Sequence, residues 1–215
     1  MYARFGKERL ETASKVSEEI KRANLLLSPL RCNCSLALTQ YYNAFSAMPT
    51  TATPAKEHQE RWNEITADPL LRKLPYKVET NHRGQIVLSP HKNRHTFQQK
   101  AIQKTLDDLL SGGEAFQELA IATSGGTKQA DVVWASSSRI AEMKETGDPT
   151  TLAPEICVEV MSESNDWEEM EEKADLYRKA GAEEVWIVDG EEKVHFIAEE
   201  EMERSEIAPG FPRSV

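Results

Sequence analysis

Between Ile156 and Met161 an otherwise apolar run, Ile-Cys-Val-Glu-Val-Met, carries one ionisable side chain, Glu159. Burying a carboxylate in such a run costs several kcal/mol unless a cation or a hydrogen-bond donor compensates it. The stretch Pro154 to Ser162 predicts a strand ended by a turn, followed by an amphipathic helix over about 166–180 that stops at Gly181. Strands that feed crossover helices are buried on both faces and gather ligands at their carboxyl ends. Glu159 lies near that end and is the first candidate for a metal ligand.

Elements on either side of this strand are legible from period and punctuation. Lys56 to Thr66 predicts a helix ended before Asp68-Pro69, and Tyr76–Thr80 with Gln85–Ser89 predicts a hairpin across Asn81–Gly84. His95 to Leu110 predicts a helix with Ile102, Leu106 and Leu109 on one face, and His95 shares that stripe. Two strands follow, 116–122 and 130–135, then a short helix over 137–144. After the organising strand and its helix, 184–189 and 193–198 predict a second hairpin, and 207–211 a final loop or edge strand. This order implies an α/β domain whose mixed sheet is flanked by helices.

Residues 1–47 differ from the rest. Glu8 to Leu27 suits a helix, whereas 31–47 shows no sustained period, and Met48 opens a polar lead-in typical of a domain start. The expectation is an amino-terminal extension over 1–47, helical or poorly structured, and a functional domain over 48–215. No apolar run reaches the roughly 18 residues of a membrane span, so no membrane partner is expected. Cys32, Cys34 and Cys157 have no zinc spacing and cannot all pair, which suits a reducing cytoplasm. Charge is strongly divided: residues 131–215 hold 23 acidic and 8 basic side chains out of a chain total of −10. Within 72–104, Arg72, Lys73, Lys77, Arg83, Lys92, Arg94, Lys100 and Lys104 face only Glu79. That basic island suits either phosphate contact or a solvated face.

Asp131 opens a second apolar strand, Ala130-Asp-Val-Val-Trp-Ala135. Carboxylates on neighbouring strands suit magnesium, a hard cation that takes oxygen ligands and keeps positions for water and phosphate. An acid at a strand start also serves as a turn or cap residue. Lys173 lies three after Met170 and four before Tyr177, so its stem borders the buried helix face; equally, Glu169 is a surface partner four residues before it.

Taken together, Ala130-Asp131-Val-Val-Trp, Pro154 to Ser162 with Glu159, and Glu172-Lys173-Ala-Asp-Leu-Tyr177 through Gly181 to Trp186-Ile-Val-Asp189 resemble the Uma-type restriction endonucleases of the PD-(D/E)XK nuclease superfamily. Glu79 through Gly84 to Ser89-Pro90, with His95 opening a helix, fits the same pattern, and the resemblance spans about 75–211. It implies a restriction-endonuclease-like fold and a phosphodiesterase site using Mg2+ or Mn2+. Asp131 and Glu159 would match the metal-ligating acids, and Glu79 an additional ligand or water-positioning acid. The lysine usual two residues after the glutamate is replaced by Met161, and its role would fall to Lys173. His95 matches a recurrent histidine and is placed at the substrate. Ala130 and Glu163 stand where proline is usual; Glu163 adds negative charge beside the site.

The leading expectation is therefore a magnesium-dependent endonuclease acting on DNA, suited to a homodimer if both strands are cut. The alternative from another class is a catalytically inactive nuclease-fold module that binds nucleic acid or a protein partner. A nuclease acting on RNA or a small nucleotide would use the same chemistry.

Overall fold

The computed structural model describes residues 53–73, 76–90, 93–162 and 165–215. The extension over 1–47, Cys32, Cys34, Lys92 and Glu163 lie outside the described residues.

Proline at the first turn of α1, Pro54–Ala67, sets the helical φ without losing a needed N–H. The helix buries Trp62 and Ile65. The hairpin strands β1, Tyr76–Thr80, and β2, Ile86–Pro90, form a separate two-stranded sheet. Helix α2, Asn93–Leu109, buries Ile102 and Leu106. Two long strands, β3 at Gly113–Thr123 and β4 at Gly126–Ser136, form an antiparallel pair. Ser136 caps α3, Ser137–Thr146, by accepting the Arg139 N–H at 3.1 Å. Strand β5, Ile156–Val160, leads to α4, Trp167–Lys179, and then to β6, Glu184–Val188, β7, Val194–Ile197, and β8, Glu201–Met202.

The six-stranded sheet runs in chain order from β3 to β8, with β5 and β6 parallel and every other pair antiparallel. The parallel pair requires a crossover, which α4 supplies. Its ends are fixed by charge and cap: Asp166 accepts the Glu169 N–H at 2.8 Å, Glu168 and Glu169 open the helix, and Arg178 and Lys179 close it. This is the mixed sheet flanked by helices that the pattern predicts. The two-residue β8 is an addition, too short to leave an alternation.

Two apolar clusters fill the interior. One joins α2 to Val158, Val160, Trp186, Phe196 and Phe211, with the Trp186 ring centroid 5.1 Å from Phe196 and 4.6 Å from Phe211. The segment over 207–211 is a loop that inserts Ala208 and Phe211 into this cluster. The other cluster gathers Ile121, Val133, Cys157, Ala174, Tyr177 and Val185. Because side chains alternate along a strand, Cys157 and Glu159 share one face of β5 while Ile156, Val158 and Val160 share the other.

The hairpin is docked against β4 by a close backbone approach at Gly126. A Cβ there would lie 2.2 Å from the Thr80 carbonyl oxygen, and its φ of 118° is open to glycine but strained for other residues. The Thr127 N–H donates to Thr80 Oγ1 at 2.7 Å, and Arg61 Nε donates to the Gly84 carbonyl at 3.1 Å. This docking holds one face of β1 over the middle of β4.

Candidate active site

Five chain segments, β1, α2, β4, β5 and α4, converge where β4 and β5 part. The ladder between these strands ends at Val132 opposite Val158, so Asp131 and Glu159 are the first residues beyond it. The Asp131 carboxylate fills the break: its Oδ2 accepts the Val160 N–H at 2.8 Å. Asp131 is not a cap at a strand start. It sits inside the eleven-residue β4 with 1 % of its surface exposed. Opposite it on β3, Glu118 adopts a φ of 55°, and the regular pairing skips that position.

Helix α2 brings two residues one turn apart to the same acid. His95 Nε2 lies 2.8 Å from Asp131 Oδ2, and Gln99 Nε2 donates to Oδ1 at 3.3 Å. Helix α4 brings two more, also four residues apart. Lys173 Nζ lies 3.1 Å from Glu79 Oε1 and 3.3 Å from Glu159 Oε2, while Tyr177 donates its hydroxyl to Glu159 Oε1 at 2.6 Å. Lys173 is buried, so the surface pairing with Glu169 is not formed; Glu169 instead accepts from Asn165 Nδ2 at 2.9 Å.

The hairpin supplies the remaining charges. On β1, Lys77 and Glu79 are two residues apart and face the site together. Glu79 Oε1 also accepts the Gln129 N–H at 3.1 Å. Lys77 Nζ lies 2.7 Å from Asp131 Oδ1, 3.6 Å from Glu159 Oε2 and 3.7 Å from Glu79 Oε1. All five residues predicted for the site, Glu79, His95, Asp131, Glu159 and Lys173, therefore lie in one cluster. Sequence reasoning gave Lys77, Gln99 and Tyr177 no role there. Each was detectable by period: Lys77 two before Glu79 on a strand, and Gln99 and Tyr177 four after His95 and Lys173 on helices. The basic island thus divides. Lys77 turns inward, while Lys73, Arg83, Arg94, Lys100 and Lys104 are exposed.

Burial raises the proton affinity of every carboxylate here, and the partners decide the outcome. For Asp131, burial is outweighed by Lys77 and His95, which hold its pKa well below the usual carboxylate range. For Glu79, burial is outweighed by Lys173, Lys77 and the Gln129 N–H, and its pKa is lowered too. Glu159 goes the other way: burial, with Asp131 and Glu79 beside it, raises its pKa despite Lys173 and Lys77. Burial works against both ammonium groups, yet Glu159, Asp131 and Glu79 raise Lys77, and Glu159 and Glu79 raise Lys173. Burial and Glu159 also raise the Tyr177 phenol, which stays protonated and donates.

Three oxygen-bearing acids are the donor set a hard divalent cation takes. Their kind fits such an ion, but their present spacing does not close on one. Among the described residues no group of three or more His, Cys, Asp or Glu side chains is arranged to hold a metal. Lysine ammonium groups stand between the carboxylates. Among the described residues no helix is long and apolar enough to cross a membrane.

Comparison with known proteins bears on the family and the fold. Residues 62–212 match the model of the Uma2 family, described as "Putative restriction endonuclease". No curated protein is significantly similar. Among solved structures, a "putative nuclease belonging to DUF820" from Anabaena variabilis superposes with a TM-score of 0.53 at 19 % identity, over 66 % of this chain and 91 % of that one. At that identity the likeness is one of fold.

Proposed function

Since the chain belongs to the Uma2 family of restriction-endonuclease-like proteins, we propose that it is a divalent-metal-dependent endonuclease that hydrolyses phosphodiester bonds in DNA. The observation that carries this reading is the buried convergence of Asp131, Glu159 and Glu79 with Lys173 at the end of the β4–β5 ladder. Buried charge of that density is costly to maintain without a chemical role.

Asp131 and Glu159, with Glu79 beside them, would hold Mg2+ or Mn2+, which when bound lowers the pKa of water and offsets charge on a phosphoryl group. Each residue of the chain has a definable part around them. The Val160 N–H, His95 and Gln99 fix the Asp131 carboxylate from three directions. Tyr177 fixes one oxygen of Glu159 and leaves the other toward the lysines. The Lys173 ammonium is the group for stabilising negative charge that develops on the phosphate. His95, partly exposed on its helix, borders the route by which substrate arrives. DNA would approach along α2, where Arg94 and Lys100 are exposed, since 131–215 is strongly acidic. Action in the cytoplasm fits the free, buried Cys157 thiol. A two-fold dimer would place two such sites on one duplex.

The test is incubation with supercoiled plasmid, single-stranded DNA and RNA, with Mg2+ or Mn2+ against EDTA, beside Glu159→Gln and Asp131→Asn. Metal-dependent cutting of DNA that disappears in both variants is expected. A second reading, a nuclease fold kept for binding, draws on the neutralisation of its acids by Lys77 and Lys173. Absence of both cutting and metal binding in the wild-type protein would select it.

A further inference from the structure

The gap between Asp131 and Glu159 is already filled by a cation of the chain itself. Lys173 bridges Glu79 and Glu159, whereas Lys77 stands 2.7 Å from Asp131, 3.6 Å from Glu159 and 3.7 Å from Glu79. Lys77 is therefore the lysine that spans the two acids on β4 and β5. It is also held differently. Its ammonium has one short contact, to Asp131, and two long ones, at the tip of a flexible four-carbon stem.

We propose that Lys77 is a resident counter-cation of this site, and that a divalent metal binds by displacing its ammonium from between Asp131 and Glu159. This rests on the metal-dependent reading above and deepens it. The charges favour such an exchange. Three carboxylates against two ammonium groups leave the cluster one charge negative. With Lys77 withdrawn and a divalent ion admitted, Lys173 and the ion balance the three acids. An ammonium and a divalent ion cannot share the same oxygens without strong repulsion in a site this poorly solvated. Lys77 thus spares the protein an uncompensated acidic cluster when metal is absent, and lowers metal affinity by the cost of its removal.

Calorimetric titration of the whole protein with Mn2+, using wild type, Lys77→Met, Lys77→Arg and Glu159→Gln, tests this. Methionine keeps the stem and removes the charge, so Lys77→Met is expected to bind about ten-fold more tightly or better. Lys77→Arg keeps the charge and is expected to bind no more tightly than wild type. Equal or weaker binding by Lys77→Met, with binding still lost in Glu159→Gln, overturns the role of Lys77 and leaves the metal site standing. No Mn2+ binding by any form overturns both. Should Lys77→Met not fold, wild-type protein and Lys77→Arg answer without it. The Lys77 side-chain resonance, assigned by its absence in Lys77→Arg, is expected to shift on addition of Mg2+. A resonance unmoved at saturation overturns the proposal.

Discussion

Two buried glutamates sit on the adjacent parallel strands β5 and β6, and their neighbours treat them in opposite ways. Glu184, 3 % exposed, begins β6; its carboxylate accepts the Glu206 and Ile207 N–H groups at 2.7 and 3.0 Å and the Trp186 indole N–H at 2.7 Å. Glu159, 2 % exposed, lies one residue before the end of β5 and meets Lys173, Lys77 and the Tyr177 hydroxyl. Both satisfy the rule that a buried carboxylate must be compensated. Glu184 does so with neutral donors that are part of the framework, two of them backbone. Glu159 does so largely with cations on long side chains, which can yield to another charge. The first arrangement ties the carboxy-terminal loop to the sheet; the second is the arrangement on which the proposed site rests.

Exchanging the acid for its amide separates the two most sharply. Glu159→Gln is expected to reduce metal-dependent plasmid cutting by about a hundredfold or more, while Glu184→Gln leaves cutting unchanged. Next in size is Lys173→Met, which leaves Glu79 and Glu159 sharing Lys77 and is expected to cost about 3–5 kcal/mol in urea unfolding. Adding Glu79→Gln to it should recover part of that loss, a non-additivity of about 0.5–3 kcal/mol. Full additivity would contradict the shared contact. Glu184→Gln keeps one accepting oxygen and is expected to cost about 1–3 kcal/mol, read from the same urea curves.

Acid unfolding sharpens the contrast further. Asp131 and Glu79 have lowered pKa values in the folded protein, so their stabilisation is complete above the ordinary carboxylate range and is lost as pH falls through the lowered values. Glu159, with its raised pKa, acts oppositely: it costs stability as it ionises with rising pH. Removing the lysine nearest Asp131 with Lys77→Met should move the acid transition to higher pH, followed by circular dichroism. The smallest effect belongs to Glu169→Ala. Its carboxylate contacts Asn165 rather than Lys173, and a change within about 0.5 kcal/mol in thermal unfolding is expected.

Glu159 was legible because one acid in an apolar run has few structural explanations; Asp131 was a weaker signal, because an acid at a strand start also serves as a turn or cap residue. Lys173 was half legible: its position beside Met170 and Tyr177 put its stem at the buried face, but spacing alone also allowed Glu169 as its partner. Lys77 was hidden by its company. It lies among basic residues that are mostly exposed, in a hairpin whose alternation marks two faces without saying which is covered. That choice is made by docking at Gly126, a contact between residues far apart in the chain, which no local pattern encodes. The sheet order was legible only in part. A crossover helix predicts β5 beside β6, but nothing in the hairpin pattern shows that β1 and β2 form a sheet of their own.

The cluster is also scattered in time. Lys173 meets Glu79 across 94 residues and Lys77 meets Asp131 across 54. During synthesis the hairpin and Asp131 leave the ribosome first, and the cation and hydroxyl of α4 arrive last. A growing chain that lacks α4 therefore carries Lys77 and His95 with Asp131, but has neither the ammonium nor the hydroxyl that meets Glu159 from that helix. The complete cluster comes into being only when the crossover helix seats, bringing Lys173 and Tyr177 to acids already in the chain.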